Sequence, residues 1–152
     1  VHEKMPDWKL RIAGEGEERP ALERLIKELG AQDYVTLCGA MDAAGVEHEM
    51  CTAGIYAMTS ASEGFSFVVL EALSCYLPPV AFDVRVGPPF LISDGTDGFL
   101  VPDNDDAAYA RRLEQLMRDD ELRHAMGKAA RTRSLDFSGE KIAQLWYEIL
   151  GD

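Results

Sequence analysis

Residues 55–82 read IYAMTSASEGFSFVVLEALSCYLPPVAF, and this stretch decides the fold class. Its opening letters, IYAMT, form a short apolar run that predicts a buried strand at residues 55–59. Residues 67–75 follow with a helical pattern that two prolines close, and residues 80–82 form a second apolar run. Because a crossover helix brings its two flanking strands side by side in parallel, the stretch predicts one unit of a parallel α/β sheet.

The same alternation continues on both sides of this unit. Short apolar runs predict three more strands, and apolar residues three and four apart predict the helices. The three strands are at residues 9–13, 35–38 and 99–101. Helices are predicted at residues 20–29, from an Asp42 cap to about residue 50, and around residues 90–92. From Asp105 onward the pattern is helical to the end, and Ser138 caps the last helix. Five strands separated by helices predict a doubly wound, Rossmann-like parallel sheet in a three-layer α/β/α arrangement.

The composition excludes several classes of partner. Hydrophobic residues make up 47% of the 152 residues and charged residues 28%, which is typical of a globular domain. The net charge of −12 argues against nucleic acid and against an anionic membrane surface, because both are bound by basic residues. No apolar run approaches the roughly 20 residues of a membrane helix, and no signal segment opens the chain. We therefore expect a single domain over residues 1–152 in a cytoplasmic protein.

The cysteines Cys38, Cys51 and Cys75 are odd in number and far apart in the sequence. A disulfide framework or a metal site favours closely spaced or paired ligands, and no cluster of His, Cys or Asp has such spacing. We therefore expect three reduced thiols that serve as small core residues.

The loop after the predicted strand at residues 55–59 carries the strongest candidate site. In parallel sheets of this kind ligands bind at the carboxyl ends of the strands. Glu63 lies in that loop and Glu71 lies two helical turns further on. Eight residues at helical rise span about 12 Å, the reach from a ribose to a sugar across a diphosphate, and the helix start between them suits a phosphate. The alternative is a pair of solvated carboxylates that complement the helix dipole.

A second glycine loop follows the predicted strand at residues 9–13. Gly14 and Gly16 there match part of a dinucleotide fingerprint, but its third glycine is missing and acidic residues follow. A tight turn in which Gly14 borders the pocket is therefore favoured over phosphate binding, and a nicotinamide-binding domain is the weakest interpretation.

The segment SEGFSFVVLEA at residues 62–72 resembles the E-x7-E signature of the GT4-type retaining glycosyltransferases, which have the two-domain GT-B fold. Three further segments resemble that family in the same order, so the resemblance covers essentially the whole chain. They are WKLRIAGEGEERPALERLIKELGAQDYVTLCGAMD at residues 8–42, VAFDVRVGPPFLISDGTDGFLVPDND at residues 80–105 and FSGEKIAQLWYEIL at residues 137–150.

The resemblance implies a role for each residue of the signature. It implies that Glu71 hydrogen-bonds the ribose of a nucleotide-sugar donor and that Glu63, as the catalytic residue, contacts the donor sugar near its 3- and 4-hydroxyls. The resemblance also assigns backbone contacts to two short groups of residues. These are Gly64, Phe65 and Ser66, against the sugar and phosphate, and Gly39, Ala40 and Met41, along the base. It implies no metal and no other cofactor.

The chain departs from the family pattern at several places. Ser66 stands where many relatives have Gly or Pro, Tyr76 where Gly is usual, and Pro79 where Val is usual. In that family an Arg and a Lys that hold the diphosphate come from a strand and helix preceding the segment where this chain begins, and Arg85 either substitutes for part of that clamp or is a solvated loop charge. The strand preceding residue 1 is central in the family's sheet, so residues 9–13 and 55–59 either pair directly or leave a gap.

The sequence therefore predicts the donor-binding, carboxy-terminal domain of a retaining glycosyltransferase, as a fragment of a two-domain enzyme. The whole enzyme is expected to transfer a hexose from a UDP- or GDP-type donor to a hydroxyl acceptor in cell-envelope or capsular polysaccharide synthesis. Its amino-terminal acceptor domain is outside the chain, so the chain alone is expected to be inactive. The alternative is a non-catalytic nucleotide-sugar-binding module or regulatory subunit. The sequence leaves the oligomeric state open.

Overall fold

The computed structural model describes residues 1–151 and divides the chain into two compact units, Val1–Glu49 and Met50–Asp152. Each unit is described by itself below. The single domain expected over residues 1–152 remains a prediction. The strands form two parallel sheets, with order β1–β2 in the first and β3–β4–β5 in the second.

The first unit contains a two-stranded parallel sheet. Strand β1, Leu10–Ala13, pairs with β2, Val35–Gly39, and Leu10 lies opposite Val35 in the register. Helix α1, Arg19–Glu28, joins them and begins with a proline in its first turn, where the missing N–H removes no helical hydrogen bond. Both strands and the helix confirm the predicted elements to within one residue at each end.

Helix α2, Ala43–Thr52, follows β2 and contains the boundary between the units. The carboxylate of Asp42 accepts a hydrogen bond from the amide of Gly45 at 2.8 Å, which confirms the predicted cap. The Arg11 guanidinium donates two hydrogen bonds to Glu49, from Nε to Oε2 at 2.5 Å and from an Nη to Oε1 at 2.6 Å. That fork ties β1 to α2 within the first unit, and it lowers the pKa of Glu49.

The second unit contains the parallel sheet of β3, Tyr56–Met58, β4, Pro79–Asp83, and β5, Phe99–Pro102. Helix α3, Phe67–Ser74, crosses from β3 to β4, so the crossover unit predicted from residues 55–82 is confirmed. Strands β1 and β3 belong to different sheets, so the direct pairing considered for them is wrong.

The sheet of the second unit is covered on both faces. Val80 and Phe82 of β4 lie in one apolar cluster with residues of β5 and of α5, Asp106–Arg118. Ala81, between them, lies in a second cluster with residues of α3 and of α4, Pro88–Leu91. Because successive side chains of a strand point to opposite faces, this alternation places helices on both sides of the sheet. The predicted three-layer arrangement is confirmed for this unit.

The last part of the chain is helical, as predicted. Helix α6, Asp120–Ser134, contributes to both clusters, and a 3-10 turn, Leu135–Phe137, leads into α7, Gly139–Leu150. The Ser138 hydroxyl accepts the amide of Lys141 at 3.4 Å, so the predicted cap is confirmed. The apolar stripe of α7 is exposed, with Trp146 57% accessible. No helix among residues 1–151 is long and apolar enough to cross a membrane.

The cysteines correct one expectation. Cys51 is exposed, and Cys38 and Cys75 are only partly buried, so none of these thiols is a core residue. The error arises because small size and mild apolarity allow burial but do not require it.

Candidate functional site

The loop between β3 and α3 carries Glu63, Gly64, Phe65 and Ser66, and Glu71 lies within the helix. The structure therefore places the two carboxylates on either side of the helix start, as the spacing predicts. Glu63 is half-buried, whereas Glu71 is exposed. Because the loop directly follows β3, it lies at the carboxyl edge of the parallel sheet, where ligands bind in such folds.

Ser66 is the residue immediately before the first residue of α3. Its backbone is left-handed, with φ 65° and ψ 58°, and the residue is only 6% accessible. Its hydroxyl donates a hydrogen bond to Oε2 of Glu63 at 3.0 Å and does not cap the helix. Since a carboxylate acceptor strengthens a hydrogen bond, this contact orients Glu63 within the loop.

The amino-terminal end of α3 carries no acidic residue in its first turn and no side-chain cap from Ser66. Its partial positive charge is therefore not offset by a carboxylate of its own first turn. Glu63, held by Ser66, lies just ahead of this end in the chain. The loop consequently combines one oriented carboxylate with a helix end that favours an anion.

Gly87 packs closely against the loop that carries Glu63 and Ser66, and the sequence did not predict this contact. A Cβ on Gly87 would come within 2.5 Å of the Ser66 hydroxyl oxygen and 3.0 Å of the Gly64 carbonyl oxygen. Its φ of 93° is also in the region that only glycine adopts readily. The run Gly87-Pro88-Pro89 is typical of a break in the chain, but no local pattern indicates contact with a loop more than twenty residues earlier in the sequence.

Tyr56 of β3 links the two carboxylates electrostatically. Burial, together with the negative charges of Glu63 and Glu71, raises the pKa of its phenol to about 12. Both carboxylates therefore lie close enough for their charges to act on one partly buried phenol. Tyr56 stays protonated at neutral pH and was not identified from the sequence, where it appeared as one apolar strand residue.

Phe65 contributes its side chain to an aromatic group rather than to open solvent. Its ring lies 5.0 Å from that of Phe67 and 6.0 Å from those of Phe90 and Phe137, measured between centroids. These tilted contacts fix the ring at a partly buried position. The role that the family resemblance assigns to the backbone of Phe65 stays a prediction.

The remaining candidates lie in the first unit. The amide of Gly14 donates a hydrogen bond to the carbonyl of Gly39 at 2.8 Å, and both glycines have positive φ, 131° and 76°. The structure thus brings the loops after β1 and β2 together, as expected for neighbouring parallel strands. Ala40 and Met41 continue the second loop toward α2.

Among residues 1–151, no group of three or more His, Cys, Asp or Glu side chains is arranged to hold a metal ion. Arg85 is exposed in the loop after β4, so its part in a cationic clamp remains a hypothesis.

The parallel α/β architecture of the second unit is that of a Rossmann-like domain, and the solved structures similar to this chain are GT-B glycosyltransferases. The family model described as "Glycosyl transferases group 1" matches residues 1–133, and the chain belongs to that family.

Individual relatives agree with this assignment. An exopolysaccharide phosphotransferase of Streptomyces coelicolor is 36% identical over 95% of this chain and 15% of its own length. The amylovoran biosynthesis glycosyltransferase AmsD of Erwinia amylovora is 33% identical over 94% of this chain and 40% of its own length.

Among solved structures, the pneumococcal O-GlcNAc transferase GtfA, in complex with UDP and GlcNAc, superposes with a TM-score of 0.85. The two are 30% identical, over 99% of this chain and 31% of that protein. The chain therefore spans less than half the length of each of these relatives.

Proposed function

We propose that this chain is the donor-binding part of a retaining glycosyltransferase that transfers a hexose from a UDP- or GDP-type nucleotide sugar to a hydroxyl acceptor. The observation that carries the proposal is the loop in which Ser66 holds Glu63 at the start of α3, with Glu71 further along the same helix. Family membership and the UDP and GlcNAc bound by the GtfA relative support the choice of ligand.

In the proposed complex Glu71 accepts hydrogen bonds from the ribose hydroxyls, and Glu63 accepts them from the 3- and 4-hydroxyls of the donor sugar. A carboxylate is suited to both tasks because each of its oxygens accepts more than one hydrogen bond. The backbone amides of Gly64, Phe65 and Ser66 lie against the sugar and phosphate. The role of Gly39, Ala40 and Met41 along the base, and of Gly14 at the border of the pocket, stays a prediction.

The proposed reaction keeps the anomeric configuration. The acceptor hydroxyl attacks on the face from which the diphosphate departs, the bond between the sugar and the diphosphate breaks, and the proton of the hydroxyl passes to the departing diphosphate oxygen. Glu63 orients the sugar for that attack, and the positive end of α3 stabilises the charge that develops on the leaving diphosphate. We propose that no metal takes part, and that cationic groups outside residues 1–152 complete the stabilisation.

The proposed setting is cell-envelope or capsular polysaccharide synthesis in the cytoplasm. The exopolysaccharide and amylovoran names of the two relatives support the pathway class. The acceptor-binding half is proposed to lie outside the chain, since the chain spans a minor share of each relative. The chain by itself is then expected to bind a donor weakly and to transfer nothing.

Titration of UDP-, GDP- and ADP-sugars, followed by NMR so that millimolar affinities are measurable, tests the proposal. One donor class is expected to shift the amide signals of residues 64–66. Glu71→Ala is expected to weaken its binding roughly 10-fold or more, since a hydrogen bond to a charged group contributes about 1.5–3 kcal/mol.

Glu148→Ala serves as the matched control, because Glu148 is an exposed helical carboxylate on α7 that accepts a hydrogen bond from Gln144 and lies outside the proposed donor contacts. Binding that is unchanged in Glu71→Ala would show that the ribose contact is wrongly assigned. A chelator added to the same titration tests the proposal that no metal takes part. A loss of donor binding on adding the chelator would contradict it.

A further inference from the structure

The second unit holds two thiols in direct contact outside the proposed donor loop. Cys51 lies near the end of α2, Cys75 is the residue that caps the end of α3, and their Sγ atoms are 2.8 Å apart. Cys51 is exposed and Cys75 is partly buried, so solvent reaches the pair. Sulfur atoms in a disulfide are about 2.0 Å apart, so the covalent bond needs a side-chain movement of less than an ångström.

We propose that Cys51 and Cys75 form a reversible intramolecular disulfide and that this pair is a redox modification site. Cys38 lies in β2 of the first unit, where its thiol is directed at the carbonyl of Thr36 at 3.8 Å. The proposed site therefore involves two of the three cysteines and leaves Cys38 reduced.

The chemistry is thiol–disulfide exchange with an oxidised low-molecular-weight disulfide. The exposed Cys51 loses its proton, and its thiolate attacks one sulfur of the small disulfide, forming a mixed disulfide and releasing one small thiolate. The Cys75 thiolate then attacks the Cys51 sulfur and releases the second small thiolate. Both cysteines are oxidised, the small disulfide is reduced to two thiols, and the protons lost by the cysteines end on those thiols.

The bond would close a loop that contains β3, the Glu63–Ser66 segment and all of α3. Its anchor at Cys75 is tied to the helix, because the Cys75 amide donates hydrogen bonds to the carbonyls of Glu71 and Ala72. Oxidation therefore links the end of α2 to the last turn of α3 and restricts the unfolded chain over residues 51–75. Neither thiol belongs to the proposed donor contacts, so the inference stands independently of the proposed function.

The test incubates the folded 152-residue protein with oxidised glutathione, quenches it with an alkylating reagent, and counts alkylated thiols by mass spectrometry. The expected product carries one alkyl group, at Cys38, and a peptide cross-link between Cys51 and Cys75 that dithiothreitol removes. Its Tm is expected to exceed that of the reduced protein by roughly 5–12 °C, because a loop of this length restricts the unfolded state substantially.

Three results would overturn the proposal: three alkylated thiols after oxidation, a cross-link that involves Cys38, or a disulfide between two copies of the chain. Cys51→Ser and Cys75→Ser are expected to stop at a mixed disulfide without the rise in Tm, and Cys38→Ser, as the matched control, is expected to form the cross-link fully. Peptide mapping of the unmodified sequence decides the matter even where a serine variant fails to fold.

Discussion

At Ser66 the backbone and the side chain make opposing contributions to stability. A left-handed conformation costs a residue with a Cβ roughly 1–2 kcal/mol, because Cβ approaches the following carbonyl oxygen. The hydrogen bond from the hydroxyl to Glu63 offsets part of that cost. The family resemblance gives Gly or Pro at this position in many relatives; the positive φ of Ser66 favours Gly and is one that Pro cannot adopt. Serine at this position therefore accepts a strained backbone conformation and gains a hydrogen bond that orients the Glu63 carboxylate.

Two substitutions separate these contributions. Ser66→Ala removes the hydroxyl and keeps the strained backbone, whereas Ser66→Gly removes the hydroxyl and relieves the strain. We expect Ser66→Gly to exceed Ser66→Ala in free energy of unfolding by about 1 kcal/mol. Urea denaturation of both variants measures the difference. Equal stabilities, or a more stable alanine variant, would mean that the left-handed backbone carries no cost at this position.

At the level of elements, the contact between α3 and α6 depends on Gly127. A Cβ on Gly127 would come within 2.4 Å of the carbonyl oxygen of Tyr76, which is backbone and cannot move aside as a flexible side chain would. Tyr76 itself has a positive φ of 58°, so the chain turns sharply as it leaves α3. Close approach of the helix to this turn is what lets α6 cover the end of α3.

Gly127→Ala is therefore expected to destabilise the protein, although alanine is the better helix former by about 1 kcal/mol. The steric cost should exceed that gain and give a net loss of roughly 1–3 kcal/mol in the free energy of unfolding. Gly139→Ala is the matched control, because a Cβ at that helical position meets nothing within 4 Å. Urea denaturation that shows Gly127→Ala to be as stable as Gly139→Ala would contradict the packing described here.

Elements were predictable from the sequence where local chemistry determines them. Asp42 and Ser138 cap their helices because a side-chain oxygen reaches an amide three residues on. Contacts between distant residues were not predictable in this way. Gly87 against Ser66, and Cys51 against Cys75, involve separations that no local pattern encodes. The two glutamates of the candidate site were found because both lie in one loop and helix.

The net charge of the whole molecule is negative because its acidic residues outnumber its basic residues. The sequence has 27 acidic and 15 basic residues, and the excess of 12 gives the net charge of −12. The ion pairs of the described residues, such as Arg19 with Glu15 and Glu23, are largely solvent-exposed. Exposed pairs contribute little and are weakened by salt, whereas repulsion among the excess carboxylates opposes the compact state.

Screening of that repulsion should therefore stabilise the protein more than it weakens the surface ion pairs. Between 20 and 300 mM NaCl at pH 7 we expect the Tm to rise by about 2–4 °C, as a gain near 1 kcal/mol gives for a domain of this size. Differential scanning calorimetry measures the rise, and repeating the series near pH 4.6, the sequence pI, supplies the control in which it should vanish. A Tm that falls with salt at pH 7 would instead show that the exposed ion pairs outweigh the repulsion among the surplus carboxylates.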